Sequence, residues 1–173
     1  SRVSRGLGDV YKRQLYHWQT KIKELIEYHE RHLHYIYDPH YNSGKSITCE
    51  WLEYQDLAEE IPGIFTLAED IMQFCMSMPK SKCYLFDMPA AMKKEKMHQM
   101  YTALEMLKNG FLFDKRYNGK KQRIDRPAVI CFANNLPKTE LMAPDRWKIW
   151  YITPDKELVP YHGDLPPGGL LIP

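Results

Sequence analysis

Three short apolar runs, HLHYIY (His32–Tyr37), CYLF (Cys83–Phe86) and AVICFA (Ala128–Ala133), constrain this chain more than any other feature. Each stops at a polar residue (Asp38, Asp87 and Asn134) and each is separated from the next by helical periodicity. A run with no polar alternation is a strand buried on both faces, the condition of a strand inside a parallel sheet covered by helices. WKIWYI (Trp147–Ile152) reads as a fourth strand, and Gly63–Leu67 as a short one. Between them, Leu15, Trp18, Ile22, Leu25, Ile26 and His29 recur at helical spacing. Further helices are predicted over Lys45–Glu60, stopped by Pro62-Gly63, over Ala68–Met78 before Pro79, and over Lys93–Asn109 before Gly110. Strands alternating with helices predict an α/β fold with a mainly parallel sheet.

A chain of 173 residues, 44% apolar and 27% charged, has the composition of one globular domain, and at that length it can bury a core without covalent staples. The four cysteines are 26, 8 and 48 residues apart, with no zinc-type spacing, so they read as buried thiols in a reducing compartment. The expected location is therefore intracellular, nucleus or cytoplasm, and not secreted. No apolar run approaches the roughly 18 to 20 residues that span a bilayer, so no membrane partner is expected. Residues 1–14 (SRVSRGLGDVYKRQ) lack the apolar core of a secretory signal and resemble a translated adapter scar, so they are set apart from the fold. The expected division is then 1–14 non-native, 15–152 one domain, and 153–173 a proline-rich irregular tail.

Charge is segregated along the chain. From Ser46 to Pro79 there are seven acids and no Lys or Arg, whereas Lys108 to Arg126 carries seven cations against Asp114 and Asp125, a local net of +5. Within that basic stretch Phe111–Tyr117, Asn118-Gly119 and Lys120–Ile124 read as a β-hairpin, because Asn-Gly supplies the positive φ angles of a type I′ turn. A basic hairpin suits a polyanion, and Tyr117 is the aromatic best placed to stack on a base, with Phe111 and Phe113 better suited to packing.

Asn42-Ser43-Gly44-Lys45-Ser46 stands between a strand and a helix, the context in which Gly-Lys-Ser cradles phosphate. Glycine admits close backbone approach, successive amides form an anion nest, and the helix adds its positive end. Lys45 would reach the β and γ phosphates of ATP and the Ser46 hydroxyl would ligate magnesium. The position five residues before Gly44 is Pro39 and not the glycine of the full pattern. Asp87 ends a later apolar strand, where a carboxylate completes a magnesium site. Asn134 ends the AVICFA strand, so Lys45, Asp87 and Asn134 are expected to converge at the C-terminal edge of one sheet.

With these motifs in order, the chain resembles the superfamily 3 helicase domain of the replication initiator (Rep) proteins of circular single-stranded DNA viruses and related plasmids. The matching stretches are WQTKIKELIE, YDPHYNSGKS as Walker A, CYLFDMPAA as Walker B, ALEMLKNGFLFDKRYNGK as B′, VICFANNLP as motif C, and APDRWKIWYI after it. The resemblance implies a P-loop NTPase of AAA+-like fold, ATP and magnesium as cofactors, and a homo-oligomeric ring, a hexamer, moving on single-stranded DNA in rolling-circle replication. It implies that Lys45, Asp87 and Asn134 are catalytic, Asn134 sensing the γ-phosphate and orienting water. It makes Arg146 a candidate arginine finger on the neighbouring subunit's ATP; a surface pair with Asp145 is the plainer alternative. Asn42, Ser43, Gly44, Lys45 and Ser46 would hold nucleotide, Ser46 and Asp87 the metal. Lys108, Lys115, Arg116, Tyr117, Lys120 and Lys121 would line the channel and grip DNA.

Three residues depart from that family's usual pattern: Tyr41 replaces a glycine, Met88 leaves no second carboxylate beside Asp87 to act as general base, and Ala90 replaces an arginine. His32-Leu33-His34 and Tyr117-x-x-Lys120 match short patterns of the nuclease domain that Rep proteins also carry. Both fall inside elements already read, a strand and a hairpin turn, so no nicking site is assigned. Three alternatives stay open at this point: a nucleic-acid-binding module with a decayed ATP site, an RNA helicase of a related virus, and an unrelated P-loop phosphotransferase.

Overall fold

The computed structural model describes residues 15–27, 31–40, 43–65, 67–116 and 119–163. Residues 1–14 and 164–173 lie outside them, as do Asn42 and Tyr117 of the expected site, Tyr41 before it and Asn118 of the expected hairpin turn.

The apolar runs form the strands expected of them. Helix α1 (His17–Glu27) leads to β1 (Leu33–Tyr37), then α2 (Lys45–Tyr54), β2 (Glu59–Ile61), α3 (Ala68–Ser77) and β3 (Cys83–Asp87). These are followed by α4 (Lys94–Lys108), the hairpin β4 (Phe111–Asp114) and β5 (Lys120–Arg123), β6 (Ala128–Ala133), a 3-10 turn at Thr139–Leu141, β7 (Trp147–Ile152) and β8 (Leu158–Pro160). The main sheet has the order β2-β3-β6-β1-β7-β8, with only β8 antiparallel to its neighbour. The fold is α/β with a mainly parallel central sheet flanked by helices.

Alternate residues of the same strands supply two separate cores. Leu33, Tyr35 and Tyr37 face α3 and α4 together with Tyr84, Phe86, Val129 and Cys131. Ile36, Leu85, Ile130 and Phe132 face the other way, onto Trp18, Ile22 and Ile26 of α1 and Cys49 and Leu52 of α2. The central strands β1 and β6 are buried along their whole length, which explains the absence of polar alternation in their sequences. All four cysteines are free and buried, and burial raises their pKa values, so they remain thiols. Among the described residues no helix is long and apolar enough to cross a membrane.

Three boundaries differ from the sequence reading. The helix expected to reach Glu60 ends at Tyr54, and Glu59–Ile61 instead pairs in parallel with Tyr84–Phe86 as the outermost strand. Among the described residues of 63–67 there is no strand; the short strand in this region lies earlier, at Glu59–Ile61. Leu158–Pro160, assigned to the irregular tail, pairs with Trp150–Ile152 and places Pro160 on an edge, where its missing N–H is tolerated.

Gly110 ends α4 and starts the hairpin with φ 75°, and a Cβ there would lie 2.3 Å from the Ile124 carbonyl oxygen. The contact is so close because Ile124 N–H donates to Gly110 O at 2.8 Å, closing the base of the hairpin. Gly110→Ala combines a left-handed penalty with a backbone clash, so a loss of about 2 kcal/mol or more in urea unfolding is expected.

Candidate functional site

Three adjacent strands, β3, β6 and β1, end together at one edge of the sheet and deliver Asp87, Asn134 and the loop that begins at Asp38. The loop is closed by its first residue. Asp38 is 4% exposed; its backbone N–H extends the ladder to Ala133 O at 2.8 Å. Its Oδ1 accepts the His40 N–H at 3.1 Å and its Oδ2 accepts the Ser43 hydroxyl, an Asx-type turn that brings the chain back on itself. Pro39, next in the chain, has no N–H to satisfy and a fixed φ. His40 Nε2 lies 3.3 Å from the Tyr151 hydroxyl on β7.

The far side of the loop is held by α1 and α2. Trp18 Nε1 donates to Ser43 O at 3.1 Å, and Gln19 Nε2 donates to Thr48 Oγ1 at 2.8 Å. The Thr48 hydroxyl donates in turn to Gly44 O at 2.7 Å. Gly44 has φ 89°, and a Cβ on it would sit 3.3 Å from Gln19 Nε2. This conformation lets the chain leave the loop and enter α2 within one residue.

Lys45, in the first turn of α2, crosses the edge to Asp87. Its Nζ lies 2.9 Å from both Oδ1 and Oδ2, with the two side chains 22% and 43% exposed. An ion pair this accessible contributes about 1 kcal/mol at most, so it orients the two groups more than it holds the fold. Ser46 is exposed beside it. Asp38, His40, Ser43, Gly44, Lys45, Ser46 and Asn134 line a cleft of about 370 Å³ at this edge. The structure thus brings Ser43, Gly44, Lys45, Ser46, Asp87 and Asn134 together. The cleft offers an ammonium, the Ser46 hydroxyl and the N-terminal amides of a helix, with the Asp87 carboxylate against Lys45 and that of Asp38 taken up by His40 and Ser43, groups that suit an anion accompanied by a cation.

Arg146 is not part of this cleft. It precedes β7 at the opposite, N-terminal edge, where Leu33 N–H donates to its carbonyl at 2.7 Å. Its Nη2 donates to Asn109 Oδ1 at 2.9 Å, so its partner is an amide and not the neighbouring Asp145. Burial lowers its pKa, and Arg31 and Arg126 nearby act in the same direction.

The expected DNA-binding residues divide. Lys115, Arg116, Lys120 and Lys121 are exposed on the hairpin, Lys115 paired to Glu69 at 3.1 Å and Arg116 to Asp114 at 3.3 Å. Lys108 corrects the sequence reading: it is 4% exposed and its Nζ donates to Pro127 O at 2.9 Å. It closes the C-terminal end of α4 against the start of β6 and presents no charge to the surface. His34 of the rejected nuclease pattern is also interior, accepting from Trp150 Nε1 at 3.1 Å.

Sequence reasoning missed Asp38, Trp18, Gln19 and Thr48, the residues that shape the loop. An Asp directly before Pro at a strand end was the available signal for Asp38, since Asx turns start that way. The other three act through long-range hydrogen bonds that leave no local pattern.

A sheet of this order, with a clamped glycine loop, a lysine and an acid on its carboxyl edge, defines an α/β protein with these groups gathered where ligands bind in open α/β folds. No protein-family model matches the chain. It is 30% identical over 140 residues to Para-Rep C9 of Faba bean necrotic yellows C9 alphasatellite, covering 79% of this chain and 48% of that protein. It is 29% identical over 136 residues to Para-Rep C6 of Subterranean clover stunt C6 alphasatellite, covering 76% and 46%. The Master replication protein of Subterranean clover stunt virus (strain F) matches at 22% over 135 residues, covering 78% and 44%. The chain is a homologue of the Rep proteins of single-stranded DNA viruses and their satellites, and it spans about half the length of the curated relatives it matches.

Asp38→Ala removes both acceptors that close the loop, while leaving β1 and its ladder intact. A loss of about 1 to 3 kcal/mol in global stability is expected, with the amide of His40 exchanging faster with solvent deuterium. Unchanged exchange at His40 would show that Asp38 does not hold the loop.

Proposed function

We propose that this chain is the ATP-dependent helicase motor of a Rep-like replication protein, a superfamily 3 P-loop ATPase that translocates on single-stranded DNA during rolling-circle replication. The observation that carries the reading is the contact of Lys45 with both oxygens of Asp87, two residues 42 positions apart that meet beside a left-handed glycine. The homology to viral replication proteins supports it independently.

The residues present fit ATP with magnesium. Ser46 and Asp87 offer one neutral and one anionic oxygen, the sparse set that magnesium takes when water and phosphate complete its shell. The position already accommodates a positive charge, that of Lys45. Magnesium, when bound, would neutralise charge on the phosphate oxygens of the transferring group. Lys45 would exchange Asp87 for the β and γ phosphates, and the amides of Asn42, Ser43 and Gly44 would cradle them. Asn134, on the same cleft wall, would orient the attacking water. Met88 is 7% exposed and packs in the core with α3 and α4, so it adds no base, and slow turnover is expected.

Arg146 would act on the nucleotide of an adjacent subunit in a ring, a hexamer by the family resemblance. Its position at the edge opposite its own cleft supports action in trans. Lys115, Arg116, Lys120 and Lys121 would contact the DNA backbone and Tyr117 would stack on a base. The buried Met88 favours one rival, a DNA-binding module that has lost hydrolysis.

ATP hydrolysis measured with magnesium, with and without single-stranded DNA, separates the two. Stimulation by DNA is expected, with at least about a hundredfold loss in Lys45→Ala and in Asp87→Asn, both variants retaining the parent unfolding temperature within a few degrees. A folded chain that binds DNA but shows no Lys45-dependent hydrolysis is the module and not the motor.

A further inference from the structure

The hairpin β4–β5 stands outside the main sheet, and its register sorts its side chains into two kinds. Leu112 pairs with Gln122 and is fully buried, anchoring one face of the ribbon to the helical layer. Phe111 pairs with Arg123 and Phe113 with Lys121, so the opposite face carries two rings and two cations side by side. Phe111 is covered by the Arg123 guanidinium, 4.8 Å from the ring centroid. Phe113 is 40% exposed. Gly119, two residues before Lys121, is its diagonal neighbour, and a Cβ there would make ordinary van der Waals contact with one edge of the ring at 3.7 Å.

Phe113 also borders an apolar cleft of about 350 Å³ walled by Met72, Ala103 and Met106, with Lys115 and Arg116 lining it as well. An exposed phenylalanine beside such a cleft costs solvation free energy unless something flat covers it. From Phe111 to Arg123 the ribbon has five cations and one acid. Rings alternating with cations match a ligand that alternates flat apolar faces with anions, which is an unpaired nucleic-acid strand.

We propose that Phe113 is a base-stacking residue: the exposed face of the hairpin seats an unpaired nucleobase on the Phe113 ring, with Lys121 and Lys115 on the flanking phosphates. This rests on the reading of the hairpin as the single-strand-binding element, and it adds that the strand is held by its bases and not by phosphates alone. It also revises the sequence expectation that Phe113 packs against the sheet. Because every base has a π face, grip of this kind is tolerant of sequence, as translocation requires.

The test compares a short oligothymidylate with an abasic strand of equal length and charge, by fluorescence anisotropy at low salt. For the intact chain the base-bearing strand is expected to bind about tenfold tighter. Phe113→Leu keeps apolar volume but not the flat ring, and is expected to erase that preference. Phe113→Trp is expected to keep it and to add tryptophan emission that oligothymidylate quenches and the abasic strand does not. Equal affinity of the intact chain for both strands, or a preference that survives Phe113→Leu, overturns the stacking role and leaves the motor untouched. Binding of neither strand, with Lys45-dependent ATP hydrolysis intact, overturns both the stacking and the assignment of the hairpin to DNA. Should Phe113→Leu fail to fold, the emission of Phe113→Trp decides alone, and an unquenched signal overturns the proposal.

Discussion

The parallel pairing of β1 with β6 and of β6 with β3 is the constraint on which everything at the carboxyl edge depends. Tyr37 lies opposite Ala133, and Phe132 opposite Asp87, so the three strands stop within a residue or two of one another. With strands about 5 Å apart, that register leaves Lys45 a gap of two strands to cross, within reach of a lysine stem. A slip of one residue in β3 would turn Asp87 toward the other face of the sheet and leave the ammonium without its carboxylate. The cores on both sides guard against that slip, because the same shift would exchange Tyr84 and Phe86 with Leu85 between layers packed for different shapes.

The loop is fixed by polar contacts laid over that apolar frame. Asp38 and Ser43 are among the few buried polar side chains of the domain, and each is satisfied by the other. Seven residues between strand and helix would otherwise sample many conformations. The hydrogen bonds from Trp18, Gln19 and Thr48 replace hydrophobic packing here, and they leave the solvent side of the loop free for a ligand.

Much of the fold was legible because the apolar runs are uninterrupted and two helices, α3 and α4, stop just before Pro79 and Gly110. The two strands that were misread are three residues long, and Glu59-Glu60-Ile61 carries no apolar pattern because it lies at the edge of the sheet. Lys108 was miscounted as surface charge because composition has no direction: its place on the buried face of α4 depends on where Pro127 leaves a carbonyl. Lys45 and Asp87 were legible because each sits at the junction of a strand with a loop or helix, where side chains emerge at one edge. Asp38 stands in the same kind of position, but its role lies in hydrogen bonds to His40 and Ser43 within the loop, which the Gly-Lys-Ser pattern does not encode.

The first turn of α1 touches two distant places at once. His17 Nδ1 accepts the N–H of Leu158 on the outermost strand, Trp18 N–H donates to Lys156 O, and the indole of Trp18 reaches Ser43 O in the loop. One turn of helix therefore ties the rim of the sheet to its centre, like a stay between a mast and the hull. Loosening at the rim would slacken the loop without any change in the residues that line the cleft, so the setting of the loop at Ser43 depends in part on a strand two places from β1 in the sheet but one helical turn away in space.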